Sequence, residues 1–393
     1  MKIEPKIAAA ATELTAIRRD IHAHPELGFE EERTAKIVAG KLKEWGCEVV
    51  TGIGKTGVVG TIRVGNNPRA IGLRADMDAL HIHERNTFGH KSQHEGKMHA
   101  CGHDGHTTML LGAAKHLARH RDFDGTLHVI FQPAEENEGG GRAMIEDGLF
   151  EKFPCDTVWG MHNWPGHPAG TFTVMPGPMM ASFDIFEITL TGRGTHAAMP
   201  HNGRDPVVAG SALVQALQTI VSRNTHPVEA GVVSVTQFHG GDTWNVTPGE
   251  VVLRGTTRAF KPEVQDLIQR RMGEICDGIG ATYDCTVKLW YDRRYPPTVN
   301  SPAEAALARE VLEGLVGAEN VRTNETPTMG AEDFAFMLQV KPGCYIWIGN
   351  GPGEGGCILH NPAYDFNDEI LTLGASYWVR LVDRCLGALP ART

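Results

Sequence analysis

The sequence predicts an α/β protein in which a largely parallel-sheet domain carries a smaller, inserted α+β domain. Three observations lead there. The chain has 393 residues, more than one core usually serves, since single cores stop growing near ~250–300 residues. Short apolar strands alternate with amphipathic helices before residue 181 and again after 297, the pattern of a parallel sheet with crossover helices. Between these stretches the order is β-α-β-β-α-β, the ferredoxin-like arrangement.

Each element has its own signal. Helical spacing of apolar residues covers 5–21 and 31–45, and β-type runs follow at 47–51 and 57–64. Between those runs, Gly52-Ile53-Gly54-Lys55-Thr56-Gly57 fits Gly-x-Gly-x-x-Gly. A dinucleotide loop needs a helix after it, whereas 58–64 reads as a strand, so the segment is a hairpin turn. A phosphate loop fails as well, because Val49 stands where that loop needs glycine. The β-type run 70–75 ends in Asp76-Met77-Asp78. A helix over 104–119 follows from Leu110, Leu111, Ala114 and Leu117 at helical spacing. Strand 127–131 runs into Gln132-Pro133, a glycine-rich turn at 139–141 opens another helix, and strand 157–161 ends at His162.

The texture then changes. Residues 182–191 alternate Phe183, Ile185, Glu187 and Thr189 against Asp184, Phe186, Ile188 and Leu190, a strand with two distinct faces. A helix at 205–223, strands at 231–238 and 250–259, a helix at 262–278 and a strand at 282–290 complete the insert. A helix at 302–315, a strand at 344–348 and a helix at 368–386 return to the first texture. The expected domains are therefore 1–181 with 297–393, and 182–296 inserted, with Gly177 and Pro296-Pro297 as junctions.

Composition excludes several classes. With 41% hydrophobic and 21% charged residues the chain is globular, not disordered. Its 37 Lys and Arg against 47 Asp and Glu leave a formal charge of −10 and no basic stripe, so nucleic acid is not an expected partner. No apolar run approaches the ~20 residues that span a bilayer, so no membrane partner is expected. Residues 7–11 are too short for a leader and run straight into Glu13, Arg18, Arg19 and Asp20. Eight cysteines without a Cys-x-x-Cys pair read as reduced thiols in a cytoplasm. Nineteen histidines are the compositional oddity, and their placement matters more than their number.

Metal-type ligands recur at predicted strand ends: Asp76-Met77-Asp78, Cys101-Gly102-His103, Glu135-Glu136, His162 and His360. Open α/β sheets gather ligands outside the carboxyl ends of their strands, so such residues can meet in space. A spacing of two puts both side chains of Asp76-x-Asp78, and of Cys101-x-His103, on one face of extended chain. Glu135 and Glu136 are adjacent, and on extended chain they point in opposite directions. One can then bind metal while the other faces a water, the division that metal-assisted hydrolysis requires. His99 and His106 read as structural or supporting. Taken singly, each element also fits a packed histidine, a solvated acidic turn or a buried thiol; their common topological edge favours a metal site.

These strings resemble a known family. Met98-His99-Ala100-Cys101-Gly102-His103-Asp104-Gly105-His106 and Phe131-Gln132-Pro133-Ala134-Glu135-Glu136 are similar to those of the binuclear metallo-amidohydrolases of the aminoacylase and carboxypeptidase family. The branch they resemble holds hippurate hydrolases, N-acyl-amino-acid amidohydrolases and auxin-conjugate hydrolases. The likeness extends through Arg74-Ala75-Asp76-Met77-Asp78-Ala79-Leu80, Gly160-Met161-His162-Asn163, Gly194-Thr195-His196-Ala197-Ala198-Met199-Pro200 and Leu359-His360-Asn361-Pro362. It implies a metallopeptidase-type catalytic domain with Cys101, His103, Glu136, His162 and His360 holding two divalent ions (Mn, Zn, Ni or Co). Glu135 would be the general base and acid. The wider family has His-x-Asp where this chain has Asp76-x-Asp78, so Asp78 is implied to orient a ligand and Asp76 is a doubtful ligand.

The resemblance further implies that the insert is a lid and dimerisation module, in a homodimer or homotetramer. His196 would stabilise the tetrahedral oxyanion, and Asn245 and Arg258 would hold the carboxylate of a small-molecule N-acyl amino acid. From the residues alone, Asn245 also fits a turn cap and Arg258 a surface ion pair. The implied activity is hydrolysis of N-acyl or N-aroyl amino acids. Dipeptide or carboxypeptidase cleavage on the same machinery is the alternative, and a catalytically silent binding protein is a second.

Overall fold

Near-continuous apolar runs such as Leu127, Val129, Ile130 and Phe131 are buried throughout, as strands covered on both faces must be. They form an eight-stranded sheet in a computed structural model that describes residues 1–352 and 358–387. Across that sheet the strands run Glu48–Ile53, Gly57–Val64, Gly125–Gln132, Ala70–Asp76, Thr157–Pro165, Gly343–Gly351, Phe172–Thr173 and Val321–Arg322. The four central strands, Gly125–Gln132 to Gly343–Gly351, are mutually parallel. The Glu48–Ile53 and Gly57–Val64 strands form an antiparallel hairpin that joins the edge. The sheet is thus α/β and mostly parallel, with antiparallel pairs confined to its flanks.

The chain divides into two compact units, Met1–Met179 with Val299–Thr326 and Asp333–Thr393, and Met180–Thr298 with Pro327–Glu332. The short segment 327–332 departs from the expected division. Its backbone explains why: the Ala181 N–H lies 3.1 Å from the Thr328 carbonyl and 3.0 Å from that of Gly330, while Arg258 donates to the Met329 carbonyl at 3.1 Å.

Within the first unit, the helices Ala11–Ala23, His103–His120, Pro302–Val316 and Leu371–Leu386 bury Leu14, Leu110, Leu312 and Tyr377 in one core with the sheet. The expected helix over 5–21 is two helices, Pro5–Ala8 and Ala11–Ala23, and the turn between them lets Ile7 and Leu14 both bury.

In the second unit, the strands lie in the order Gly231–His239, Glu250–Ala259, Phe183–Thr191 and Thr286–Tyr295, all antiparallel. The helices Pro206–Thr219 and Pro262–Tyr283 pack with this sheet around Phe186, Ile188, Leu213 and Ile268. The helix expected over 262–278 extends to Tyr283, displacing the following strand to Thr286–Tyr295. Gly278 is not a breaker here; the helix stops at Asp284, which adopts φ 52°. Among the described residues, Cys47, Cys101, Cys155, Cys276, Cys285, Cys344 and Cys385 are free thiols, and Cys357 lies outside the described residues. No helix among the described residues is long and apolar enough to cross a membrane.

Candidate metal centre

The first unit brings Cys101, His103, Glu135, Glu136, His162 and His360 together. One donor atom each from Cys101, His103 and His162 lies within 4.8 Å of the others, as do donors from Cys101, Glu136 and His360, and from His103, Glu135 and Glu136. Cys101 and His103 each belong to two of these groups.

Local structure sets each donor. Cys101 and His103 are not at a strand end, as expected from sequence, but at the start of the helix His103–His120. Gly102 caps that helix at φ 97°, and a Cβ there would come within 2.2 Å of Asn163 Oδ1, so only glycine fits between the two donors. His162 lies inside a strand that runs on to Pro165. It points Nδ1 at the Asn163 carbonyl at 2.6 Å and Nε2 at the Cys101 sulfur at 3.3 Å. His360 adopts φ 63° and is anchored by its N–H to the Ala100 carbonyl at 2.8 Å. Its Nε2 is 3.1 Å from Glu136 Oε1.

Glu135 and Glu136 correct the extended-chain expectation. They follow Ala134, whose φ is 50°, and occupy a turn in place of a strand. The reversal allows both carboxylates to approach His103 within 4.8 Å, which alternation on a strand would prevent.

The surrounding shell is buried and hydrogen-bonded. Asp78 accepts from His103 Nδ1 at 3.1 Å and from the Glu136 N–H at 2.9 Å, which leaves His103 Nε2 facing the cluster. That Nε2 is buried with no hydrogen-bond partner. Asp76 pairs with Arg74 at 2.7 Å and His106 at 2.6 Å, and its Oδ2 lies 3.8 Å from His103 Nε2. His106, expected as a supporting residue, also meets Asn163 Oδ1 at 2.7 Å. Asp333, unmarked in the sequence, accepts from Arg74, Gln132 and the Gly141 N–H, and its own N–H reaches Glu135 Oε1 at 3.3 Å. Glu31 was equally unmarked, and accepts the Ala134 N–H at 2.8 Å. Neither has a ligand-like spacing, since their partners are remote in sequence; no local signal would have found them.

Electrostatics suit cations. Burial opposes charge on His103, but Asp76, Asp78 and Glu136 outweigh it and push its pKa up to about 10. A metal ion at Nε2 would answer the same negative field. Burial, reinforced by His106, drives His162 well below the usual histidine range, keeping it neutral as a ligand must be. Burial acts against ionised Glu136, yet His360 and His103 hold its pKa low. Burial and the neighbouring Glu136 and Glu135 hold the Cys101 thiol well above its ordinary value. Mixed S, N and O donors with an orphaned buried imidazole nitrogen fit divalent metal.

The remaining predicted residues are in the second unit. His196 is exposed and pairs by its backbone with Val246. Its Nδ1 accepts the Ala198 N–H at 3.1 Å, which puts the proton of the neutral ring on Nε2. Asn245 is exposed beside Trp244 and accepts weakly from Thr243 at 3.5 Å. Arg258 is half-buried against Phe183, held by the carbonyls of Thr257 at 2.8 Å and Met329 at 3.1 Å. No carboxylate among the described residues forms an ion pair with it, in contrast to the surface pair that its sequence position also allowed.

A two-domain α/β scaffold with a clustered S/N/O donor set and a carboxylate beside it defines a metal-dependent hydrolase. The model of peptidase family M20/M25/M40 matches residues 72–384, and the chain belongs to that family. It is similar to the hippurate hydrolase of Campylobacter jejuni, at 45% identity over 97% of this chain and 98% of the relative. It is also similar to the N-acetyl-L-cysteine deacetylase of Bacillus subtilis, at 39% identity over 93% of this chain and 86% of the relative. Among solved structures, a dinuclear metal-binding peptidase of family M20 from Bacillus subtilis superposes with a TM-score of 0.84 at 33% identity, covering 97% of this chain and 100% of that one. The chain is therefore a hydrolase of amide bonds whose centre takes two divalent metal ions.

Proposed function

We propose that this enzyme hydrolyses N-acyl and N-aroyl amino acids of the hippurate type to a carboxylic acid and a free amino acid. The observation that carries the reading is the joint placement of Glu135 and Glu136 around the orphaned His103 Nε2, one carboxylate for metal and one for protons. Cys101, His103, Glu136, His162 and His360 would hold the two ions, with Asp78 fixing the His103 tautomer. The ions supply Lewis acidity toward a water and the amide carbonyl.

The protein's own groups carry the rest. Glu135 takes a proton from the attacking water as its oxygen adds to the acyl carbon, then gives that proton to the departing amine nitrogen as the C–N bond breaks. His196 presents an Nε2–H donor to the oxyanion that develops. Arg258, a half-buried guanidinium with no carboxylate partner among the described residues, suits the amino acid's carboxylate, with Asn245 as its companion. We assign the second unit as a lid and dimer-forming module of a cytoplasmic homodimer or homotetramer. Exposed Trp244, Phe238 and Val208 give it apolar surface to cover.

The test is hydrolysis of hippurate, a panel of N-acetyl-amino acids and simple dipeptides by protein stripped with chelator and reloaded with Mn, Zn, Ni or Co. Metal-restored release of amino acid from hippurate and the N-acyl panel is expected, with dipeptides slower. Turnover of dipeptides alone would reassign the enzyme as a peptidase. Full metal content with no turnover of any substrate would favour a silent binding protein.

A further inference from the structure

The left-handed turn at Ala134 raises the question of what holds it. Alanine at φ 50° sits in a region that glycine enters freely and other residues enter at a cost. Its N–H donates to Glu31 Oε1 at 2.8 Å and its carbonyl accepts the Gly140 N–H at 2.9 Å. Both the alanine and Glu31 are fully buried, so nothing but protein can satisfy that N–H.

Glu31 is well placed for such a task. It is the residue before the helix Glu32–Glu44, but its side chain makes no capping bond to that helix. Glu26 takes over the capping, accepting the N–H groups of Arg33 and Thr34 at 2.8 Å each. The freed Glu31 carboxylate accepts Ala134 on one oxygen and the Thr56 hydroxyl on the other. Thr56 lies in the glycine-rich hairpin turn that imitates a nucleotide loop. Gly57 in that turn leaves room for Pro133, whose Cδ a Cβ would meet at 3.2 Å. Gly28 does the same for the Ala134 Cβ, at 3.1 Å. The loop holding Gly28 and Glu31 and the turn holding Thr56 and Gly57 thus converge on one backbone reversal.

We propose that Glu31 is a positioning residue for amide hydrolysis: by binding the Ala134 N–H it holds the left-handed turn that brings Glu135 and Glu136 to one side. The proposal rests on the roles given above to those two carboxylates. Without the clamp, the buried N–H loses its acceptor and the turn relaxes toward the extended geometry that separates the pair. A misplacement of about 1 Å can cost ~100-fold in rate.

The experiment compares kcat and KM for hippurate, with metal stoichiometry, in wild type, Glu31→Ala, Glu31→Gln, Thr56→Val and the double variant Glu31→Ala/Ala134→Gly. Glu31→Ala should lower kcat by about 100-fold with KM changed by less than about fivefold. Glu31→Gln should recover most of that loss, because its amide oxygen still accepts the Ala134 N–H. Ala134→Gly should recover at least about tenfold in the Glu31→Ala background, since glycine holds a positive φ without help. Glu31→Ala with near wild-type kcat would overturn the proposal. So would a loss that neither glutamine nor the glycine partner recovers, since that loss would reflect packing alone. If Glu31→Ala does not fold, Thr56→Val takes its place, with a loss of about threefold to tenfold expected and none overturning the proposal. Glu135→Gln measured alongside separates the two ideas: if it keeps turnover, the role of Glu135 falls, whereas a dead Glu135→Gln beside an unimpaired Glu31→Ala sinks only the clamp.

Discussion

The donor cluster of the first unit and the His196–Asn245–Arg258 set of the second are built on opposite principles. Around Cys101 and His103 a buried network holds the supporting groups: Asp78 fixes His103, Asp76 is bound by Arg74 and His106, and Asp333 gathers Arg74, Gln132 and Gly141. In the second unit His196 and Asn245 are exposed, and Arg258 is held only by carbonyls and a hydroxyl. The first region spends its hydrogen bonds on rigidity, which metal geometry and proton transfer demand. The second presents His196 and Asn245 at the surface, as groups whose proposed partners belong to a substrate must be. On the proposed roles, metal binding and proton transfer belong to the first unit and oxyanion and substrate binding to the second, and the first three variants below test that division.

Glu135→Gln should give the largest effect, a fall in kcat of about 10³–10⁴-fold with two metal ions per chain retained, measured by steady-state kinetics and metal analysis. Retained activity would remove Glu135 from the proton path. His196→Ala should follow, lowering kcat about 10²–10³-fold while metal affinity stays at the wild-type level. A loss of metal from that variant would break the division between the units. Asp78→Ala should do the reverse, weakening metal binding about 10–100-fold in a chelator-competition titration, with kcat largely restored at saturating metal.

The smallest effect concerns stability. His22 is buried; burial opposes its charge, but hydrogen bonds to Asp104 and Glu84 prevail and raise its pKa to about 9. A base whose pKa is higher folded than unfolded stabilises the fold below its unfolded value, near ~6.5, and that contribution fades as pH climbs to about 9. The contribution is on the order of 3 kcal/mol. Urea unfolding from pH 6 to 10 should therefore show a decline across that window that His22→Gln removes. An identical pH profile in the variant would show that the His22–Asp104 pair does not titrate with folding.

Much of this was legible in one dimension. The strand–helix alternation, the inserted β-α-β-β-α-β unit and the ligand types in Cys101-x-His103, Glu135-Glu136, His162 and His360 follow from periodicity and short strings, because hydrophobic pattern and residue chemistry are local properties. Helix ends were less legible, as Gly278 illustrates: a glycine marks a boundary only when the alternatives to helix are better, and here Asp284 ended it instead. The direction in which Glu135 and Glu136 point was not legible at all. It depends on the Ala134 turn, and that turn depends on Glu31, 103 positions away in the chain. The tautomer of His103 likewise depends on Asp78, and the Glu135 contact on Asp333, 198 positions on. The chain could therefore announce which residues carry the clustered donor atoms. Their aim was decided by buried hydrogen bonds between remote segments, which form only when the folded core removes water and leaves each polar group one partner to find.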